Sequence, residues 1–150
     1  MEPVWRAGQS GLAVPGAADA DGSGVAGGRA TLRVALVDDH ADFLRWARAT
    51  LAPSPWIEVV GETTDPETAV GLVREAQPDL VLIDFEMPGI TGFEVARRIK
   101  EDTPGVSVLL MSMHDSAYFE VLARLAGARG FLPKTRFSAE SIATLLDAKA

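Results

Sequence analysis

The feature that most constrains this chain is a series of five short, strongly apolar runs, each followed after a few polar residues by a stretch with helical spacing. The runs are Leu32–Val37, Trp56–Val60, Leu80–Ile83, Val106–Met111 and Gly130–Leu132. Leu80-Val-Leu-Ile83 has no polar residue at all, which suits a central strand covered on both faces. Between the runs, apolar residues recur every three or four positions: Phe43, Leu44, Ala47 and Leu51, then Ala69, Leu72, Val73 and Ala76. Val95 and Ile99 follow, then Tyr118 to Ala126, and finally Ile142, Leu145 and Leu146.

Local signals mark the helix ends. Pro53 and Pro55 close the first helix. Asp65-Pro66 offers a cap and a proline at the first helical position. Thr91-Gly-Phe-Glu94 has capping-box spacing, and Ser138 caps the last helix. Five strands alternating with five helices require a parallel sheet between two helical layers, an α/β doubly wound domain from about residue 30 to residue 150. Residues 1 to about 29 are rich in Gly, Ala, Pro and Ser without apolar period, and are expected to form a flexible tail, a linker or an appended sequence.

Composition removes several classes of function. With no cysteine there is neither a disulfide framework nor a thiolate metal site, which fits a reducing cytoplasmic setting. A formal charge of −7 and the lack of any Lys/Arg-rich run argue against nucleic-acid binding by this chain alone. No apolar run is long enough to span a membrane, and the N-terminal stretch lacks the apolar core of a signal peptide.

In an open parallel sheet, ligands bind beyond the carboxyl ends of the strands. There the sequence puts Asp38 and Asp39 after the first strand, Asp84 after the third, Ser112 after the fourth and Lys134 just past the fifth. Taken singly, each has a plain structural explanation: a helix cap, a turn residue, a surface charge. Together at one edge they form a chemical set. Carboxylates suit Mg²⁺, which accepts few protein ligands. A carboxylate nucleophile, a hydroxyl and an ammonium group suit phosphoryl transfer through an aspartyl phosphate.

The blocks Val37-Asp-Asp-His40, Asp84-Phe-Glu-Met-Pro-Gly-Ile-Thr-Gly92, Met111-Ser-Met-His114 and Gly130-Phe-Leu-Pro-Lys134 resemble the signature blocks of response-regulator receiver domains. The resemblance runs from about Thr31 to Asp147. His40, Pro88-Gly89, Met113-His114 and Ala126-Gly-Ala-Arg-Gly130 are similar in wording to the NarL/LuxR-type subfamily. It implies a flavodoxin-like (βα)5 fold with strand order 2-1-3-4-5. It also implies a phosphorylation-activated switch in a two-component phosphorelay, with Asp84 accepting a phosphoryl group from a sensor histidine kinase. By the same resemblance, Asp39, Asp84 and the backbone carbonyl of Glu86 would ligate Mg²⁺ directly, and Asp38 through water. Ser112 and Lys134 would contact the phosphoryl oxygens, and Phe131 would be the aromatic switch that rotates inward as Ser112 moves.

Three positions shape these expectations. Ser112 replaces the more frequent threonine but keeps the hydroxyl. Phe131 lacks the hydroxyl of the usual tyrosine, so a switch there works through packing. Glu86 brings a further carboxylate to the pocket, where it is expected to pair with Lys134 or to alter the attacking water. The family's usual output, a helix-turn-helix domain after the last receiver helix, has no counterpart in this chain. The wording of the motifs favours a piece of a longer transcriptional regulator over a stand-alone receiver, with a homodimer forming on phosphorylation. The alternatives are a pseudo-receiver that only binds proteins, a dehalogenase-type phosphatase, and a flavin or nucleotide binder. Glu86 stands where the phosphatases carry a second aspartate. Asp38-Asp-His40 replaces the glycine-rich loop of the nucleotide binders.

Overall fold

The computed structural model describes residues 31–147. The tail expected at 1–29 lies outside the described residues. The elements run β1 (Leu32–Val37), α1 (Ala41–Leu51), β2 (Ile57–Thr63), α2 (Ala69–Ala76), β3 (Leu80–Asp84), α3 (Gly92–Asp102), β4 (Ser107–Ser112), α4 (Ala117–Leu125), β5 (Gly130–Pro133) and α5 (Ala139–Asp147). Short 3₁₀ turns at Pro66–Thr68 and Lys134–Arg136 precede α2 and α5.

The five strands pair in parallel in the order β2-β1-β3-β4-β5. Alternation along each strand feeds two cores. Leu32, Val34, Leu36, Leu80, Leu82, Leu109, Met111 and Leu132 pack beneath α1 and α5 with Leu44, Leu51, Ile142 and Leu146. Ala35, Val37, Val81, Ile83, Val108, Leu110 and Phe131 pack on the other face with Val73, Val95, Ile99 and Ala123. The chain therefore moves outward from β1 to β2 and then reverses across β1 to β3. That reversal creates a switch point between the carboxyl ends of β1 and β3, the place where sheets of this kind bind ligands.

Several boundaries agree with the sequence signals. The Asp65 side chain accepts from the Glu67 N–H at 2.9 Å, Thr91 Oγ1 from the Glu94 N–H at 3.3 Å, and Ser138 Oγ from the Ser141 N–H at 3.0 Å. The Asp65-Pro66 start first makes a 3₁₀ turn before α2 proper. The main departure is β2, which continues to Thr63 rather than stopping at Val60. A register shift opposite Val34/Ala35 skips Val60, after which Gly61, Glu62 and Thr63 pair with Ala35, Leu36 and Val37. As the edge strand, β2 tolerates these polar residues and the bulge.

Candidate functional site

The switch-point site is built by backbone constraints before any side chain is considered. Residues Asp38 to His40 leave the end of β1, and the His40 N–H turns back to donate to Asp38 Oδ1 at 2.8 Å. This fixes the Asp38 carboxylate, which is fully buried. The residue at the N-cap of α1 is His40, whose side chain makes no cap bond. The cap explanation for Asp38 and Asp39 therefore does not hold.

Asp84 closes β3, and the following Phe85 N–H donates to the Met111 carbonyl at 2.7 Å. The loop then swings through Gly89, whose φ of +86° suits glycine, and returns to the start of α3. There the Gly92 N–H donates to the Phe85 carbonyl at 2.9 Å. A Cβ on Gly92 would stand 2.2 Å from the Asp84 carbonyl oxygen. Only glycine lets α3 approach the end of β3 this closely.

Lys134, just past β5, reaches back over the site with its side chain only 5% exposed. Its Nζ lies 2.6 Å from Asp38 Oδ2, 3.4 Å from Asp84 Oδ1 and 4.2 Å from the centre of the Phe43 ring. A buried ammonium is tolerable only with such partners. The 2.6 Å contact ties Asp38 Oδ2 to Lys134 as an ion pair, and the buried Asp39 Oδ1, which accepts no hydrogen bond, faces His40 Nδ1 at 3.1 Å. One ligand atom each from Asp38, Asp39, His40 and Asp84 fall within 4.8 Å of one another.

Crowding shows in the titration of Asp84. Burial, and then the neighbouring Asp38 charge, push the Asp84 carboxyl up from 3.8 to about 6, against the opposing pull of Lys134 and of the Glu86 backbone. Both raising effects penalise the ionised form. A cation among these carboxylates would remove much of that penalty, and Asp39 Oδ1, which accepts no hydrogen bond, faces the same space. The donor set thus fits a hard divalent ion such as Mg²⁺.

Ser112, at the end of β4, is fully buried. Its Oγ accepts from the His114 N–H at 3.0 Å and contacts Glu86 Oε1 at 3.4 Å. Glu86 does not pair with Lys134 as expected; its other oxygen lies 3.2 Å from His114 Nδ1. Lys134 is already engaged by Asp38 and Asp84, and the half-exposed Glu86 side chain points to the partner in reach. Phe131 is buried, its ring stacked on Phe119 at 5.3 Å, while Phe119 meets Phe85 edge-on at 5.0 Å. A cleft of about 600 Å³ beside it, between α4, β5 and α5, is lined by none of the three aspartates.

The structure brings Asp38, Asp39, Asp84 and Lys134 together, while Ser112 ends the strand beside Asp84 and contacts Glu86 and His114. Sequence reasoning assigned no part to His40, His114 or Phe43. An acidic pair followed by histidine was a usable signal for the first. The contacts of the other two depend on tertiary packing.

Among the described residues no helix is long and apolar enough to cross a membrane. A sequence model of the response regulator receiver domain matches residues 34–147. The transcriptional regulatory protein DegU of Brevibacillus brevis is 36% identical over 103 residues, covering 69% of this chain and 44% of DegU. The chain spans about half the length of the curated relatives it matches. The crystal structure of a two-component response regulator of the LuxR family from Aurantimonas sp. SI85-9A1 is 36% identical. It aligns with a TM-score of 0.64, covering 67% of this chain and 72% of the other. The signal receiver domain of NarL from Mycobacterium tuberculosis aligns with a TM-score of 0.67 at 30% identity, covering 79% and 98%. With its strand order, its two cores and its run of carboxylates at the switch point, this chain belongs to the response-regulator receiver domains of two-component systems, in the NarL/LuxR-type group.

Proposed function

We propose that the chain is a phosphorylation-activated switch in which Asp84 accepts a phosphoryl group with Mg²⁺ bound. The observation that carries this reading is the packing of Lys134 on Asp38 and Asp84 within a group of four metal-ligand donors, Asp38, Asp39, His40 and Asp84, with the buried Ser112 at the end of the strand beside Asp84. Asp39, Asp84 and the Glu86 carbonyl would hold the ion directly, and Asp38 would do so through water. When bound, Mg²⁺ supplies positive charge that neutralises both the nucleophile and the incoming group.

The chain's own residues do the rest. An ionised Asp84 oxygen attacks phosphorus in line with the leaving group. In transfer from a histidine kinase, the P–O bond to Asp84 forms as the P–N bond breaks, and the kinase imidazole departs with the electron pair. Lys134 balances charge on the phosphoryl oxygens, and Phe43 steadies it through its ring face. The Ser112 hydroxyl donates to a phosphoryl oxygen once released from Glu86. Hydrolysis of the acyl phosphate by water resets the switch.

Ser112 and Phe131 lie on adjacent strands, Phe131 pairing with Leu110. Movement of Ser112 toward the phosphate would be read out through the packing of Phe131 against Phe119. By likeness to DegU, which is named a transcriptional regulatory protein, the output is control of transcription. The input partner is a sensor histidine kinase, and the setting is the cytoplasm. Phosphorylation would promote a homodimer, with no nucleic acid bound by this chain alone.

Intact-mass spectrometry after incubation with acetyl phosphate tests the reading. One added phosphoryl group with Mg²⁺ and none with EDTA is expected. An unmodified chain under both conditions would leave a protein-interaction module that does not turn over phosphate.

A further inference from the structure

We propose that His40 turns the carboxylate site into a mixed oxygen–nitrogen centre, giving it a selective hold on imidazole-preferring divalent cations of the zinc and nickel class. The inference rests on the cation-binding reading above and concerns which ion the site prefers.

Three observations support it. His40 Nδ1 lies 3.2 Å from Asp38 Oδ1 and 3.1 Å from Asp39 Oδ1, so the ring nitrogen faces the same space as the carboxylates. Together with Asp84 these residues form a four-donor group within 4.8 Å. In two of them a buried oxygen accepts no hydrogen bond and meets only a charge partner: Asp38 Oδ2 meets Lys134 at 2.6 Å, and Asp39 Oδ1 meets His40 itself. The fold also presents the imidazole firmly. His40 sits in extended conformation at the N-cap of α1, held by its N–H bond to Asp38 Oδ1, while its ring makes no cap bond and is about two-thirds exposed. The ring can therefore change partners without breaking the helix start.

Ligand chemistry then separates the ions. The three carboxylates attract all divalent cations and Lys134 opposes them all, so the part of any preference owed to the imidazole is what removing His40 takes away. Mg²⁺ prefers oxygen and retains its waters, whereas imidazole suits zinc, copper, iron and nickel. Preference for the second group is thus concentrated in His40. Such an ion would also engage Asp84, and would compete with Mg²⁺ for the phosphoacceptor.

The test is titration calorimetry of the untagged chain with MgCl₂ and with NiCl₂ near neutral pH. The proteins compared are the parent, His40→Gln, His114→Gln and Asp39→Asn. The parent is expected to bind both ions, nickel more tightly. His40→Gln should keep its Mg²⁺ affinity while losing about tenfold or more in Ni²⁺ affinity, no less than the loss of an outer-shell partner causes. His114→Gln should match the parent, and Asp39→Asn should weaken both ions. Unchanged nickel affinity in His40→Gln, with Mg²⁺ binding intact, would overturn the inference and leave the magnesium site standing. No Mg²⁺ binding by the folded parent would instead overturn the underlying reading. A second readout needs no His40 variant: electron-spin-echo spectra of the Cu²⁺-loaded His114→Gln chain should carry an imidazole nitrogen signature. Its absence would overturn the inference equally.

Discussion

Replacing Asp84 by Asn should stabilise the metal-free protein, and the gain should depend on pH in a defined way. The Asp84 carboxyl is raised from 3.8 to about 6 in the folded chain, because burial and then Asp38 penalise its ionised form. A raised folded-state value means that the fold favours the protonated acid. The stability associated with Asp84 is therefore complete below pH 4 and is lost as pH rises through about 6. A shift of about two pKa units corresponds to about 3 kcal/mol. The residue is 2% exposed, so solvent screening removes little of this. Asn does not titrate, and Lys134 keeps Asp38 at 2.6 Å, so the variant leaves no buried cation unpaired. Urea unfolding in EDTA from about pH 4.5 to about pH 8 measures the difference between the two proteins. It should widen up to pH 6–7 and then level off at about 3 kcal/mol in favour of Asn. Mg²⁺ should restore much of the deficit to the parent by binding its folded state. A difference that does not vary with pH, or an Asn variant less stable at neutral pH, would show that the site is not strained by its own charge.

Asp39→Asn should reduce the rise in melting temperature that Mg²⁺ produces. Because His40 and not Asp39 is the N-cap, no lost cap masks this, and an undiminished Mg²⁺ response would remove Asp39 from the site. Gly92→Ala should destabilise the chain by at least about 2 kcal/mol, because the new methyl meets the Asp84 backbone and not a movable side chain. Unfolding at the parent's urea midpoint would show that α3 can retreat freely. Glu86→Asn or Glu86→Lys should alter the decay rate of the phosphorylated chain through release of Ser112 and His114, and identical decay in all three proteins would show the contact to be inert.

Much of the fold can be read from residues alone because β1, β3 and β4 are largely apolar and buried, and each is followed by a helix of clear period. Strand β2 runs past its apolar stretch into Gly61-Glu-Thr63, whose own composition carries no strand signal. Its pairing with Ala35, Leu36 and Val37 comes from the neighbouring strand and not from its own composition. At the site, position along the strands identified Asp38, Asp39, Asp84, Ser112 and Lys134, since the ends of parallel strands must converge. Side-chain direction was less legible. Glu86 could reach either Lys134 or His114, and the choice follows from Lys134 being held by two buried aspartates. The packing of Phe43 against Lys134 joins α1 to the turn before α5, residues ninety-one positions apart whose contact no local pattern encodes.

The most direct test of the phosphoacceptor assignment is borohydride reduction of the chain after treatment with acetyl phosphate and Mg²⁺, followed by peptide mapping. Hydride converts an aspartyl phosphate to homoserine and leaves a free carboxylate untouched. Homoserine at position 84 alone, absent when Mg²⁺ is withheld, is the expected result. Homoserine at position 38 or 39, or at any position in the Asp84→Asn chain, would contradict it.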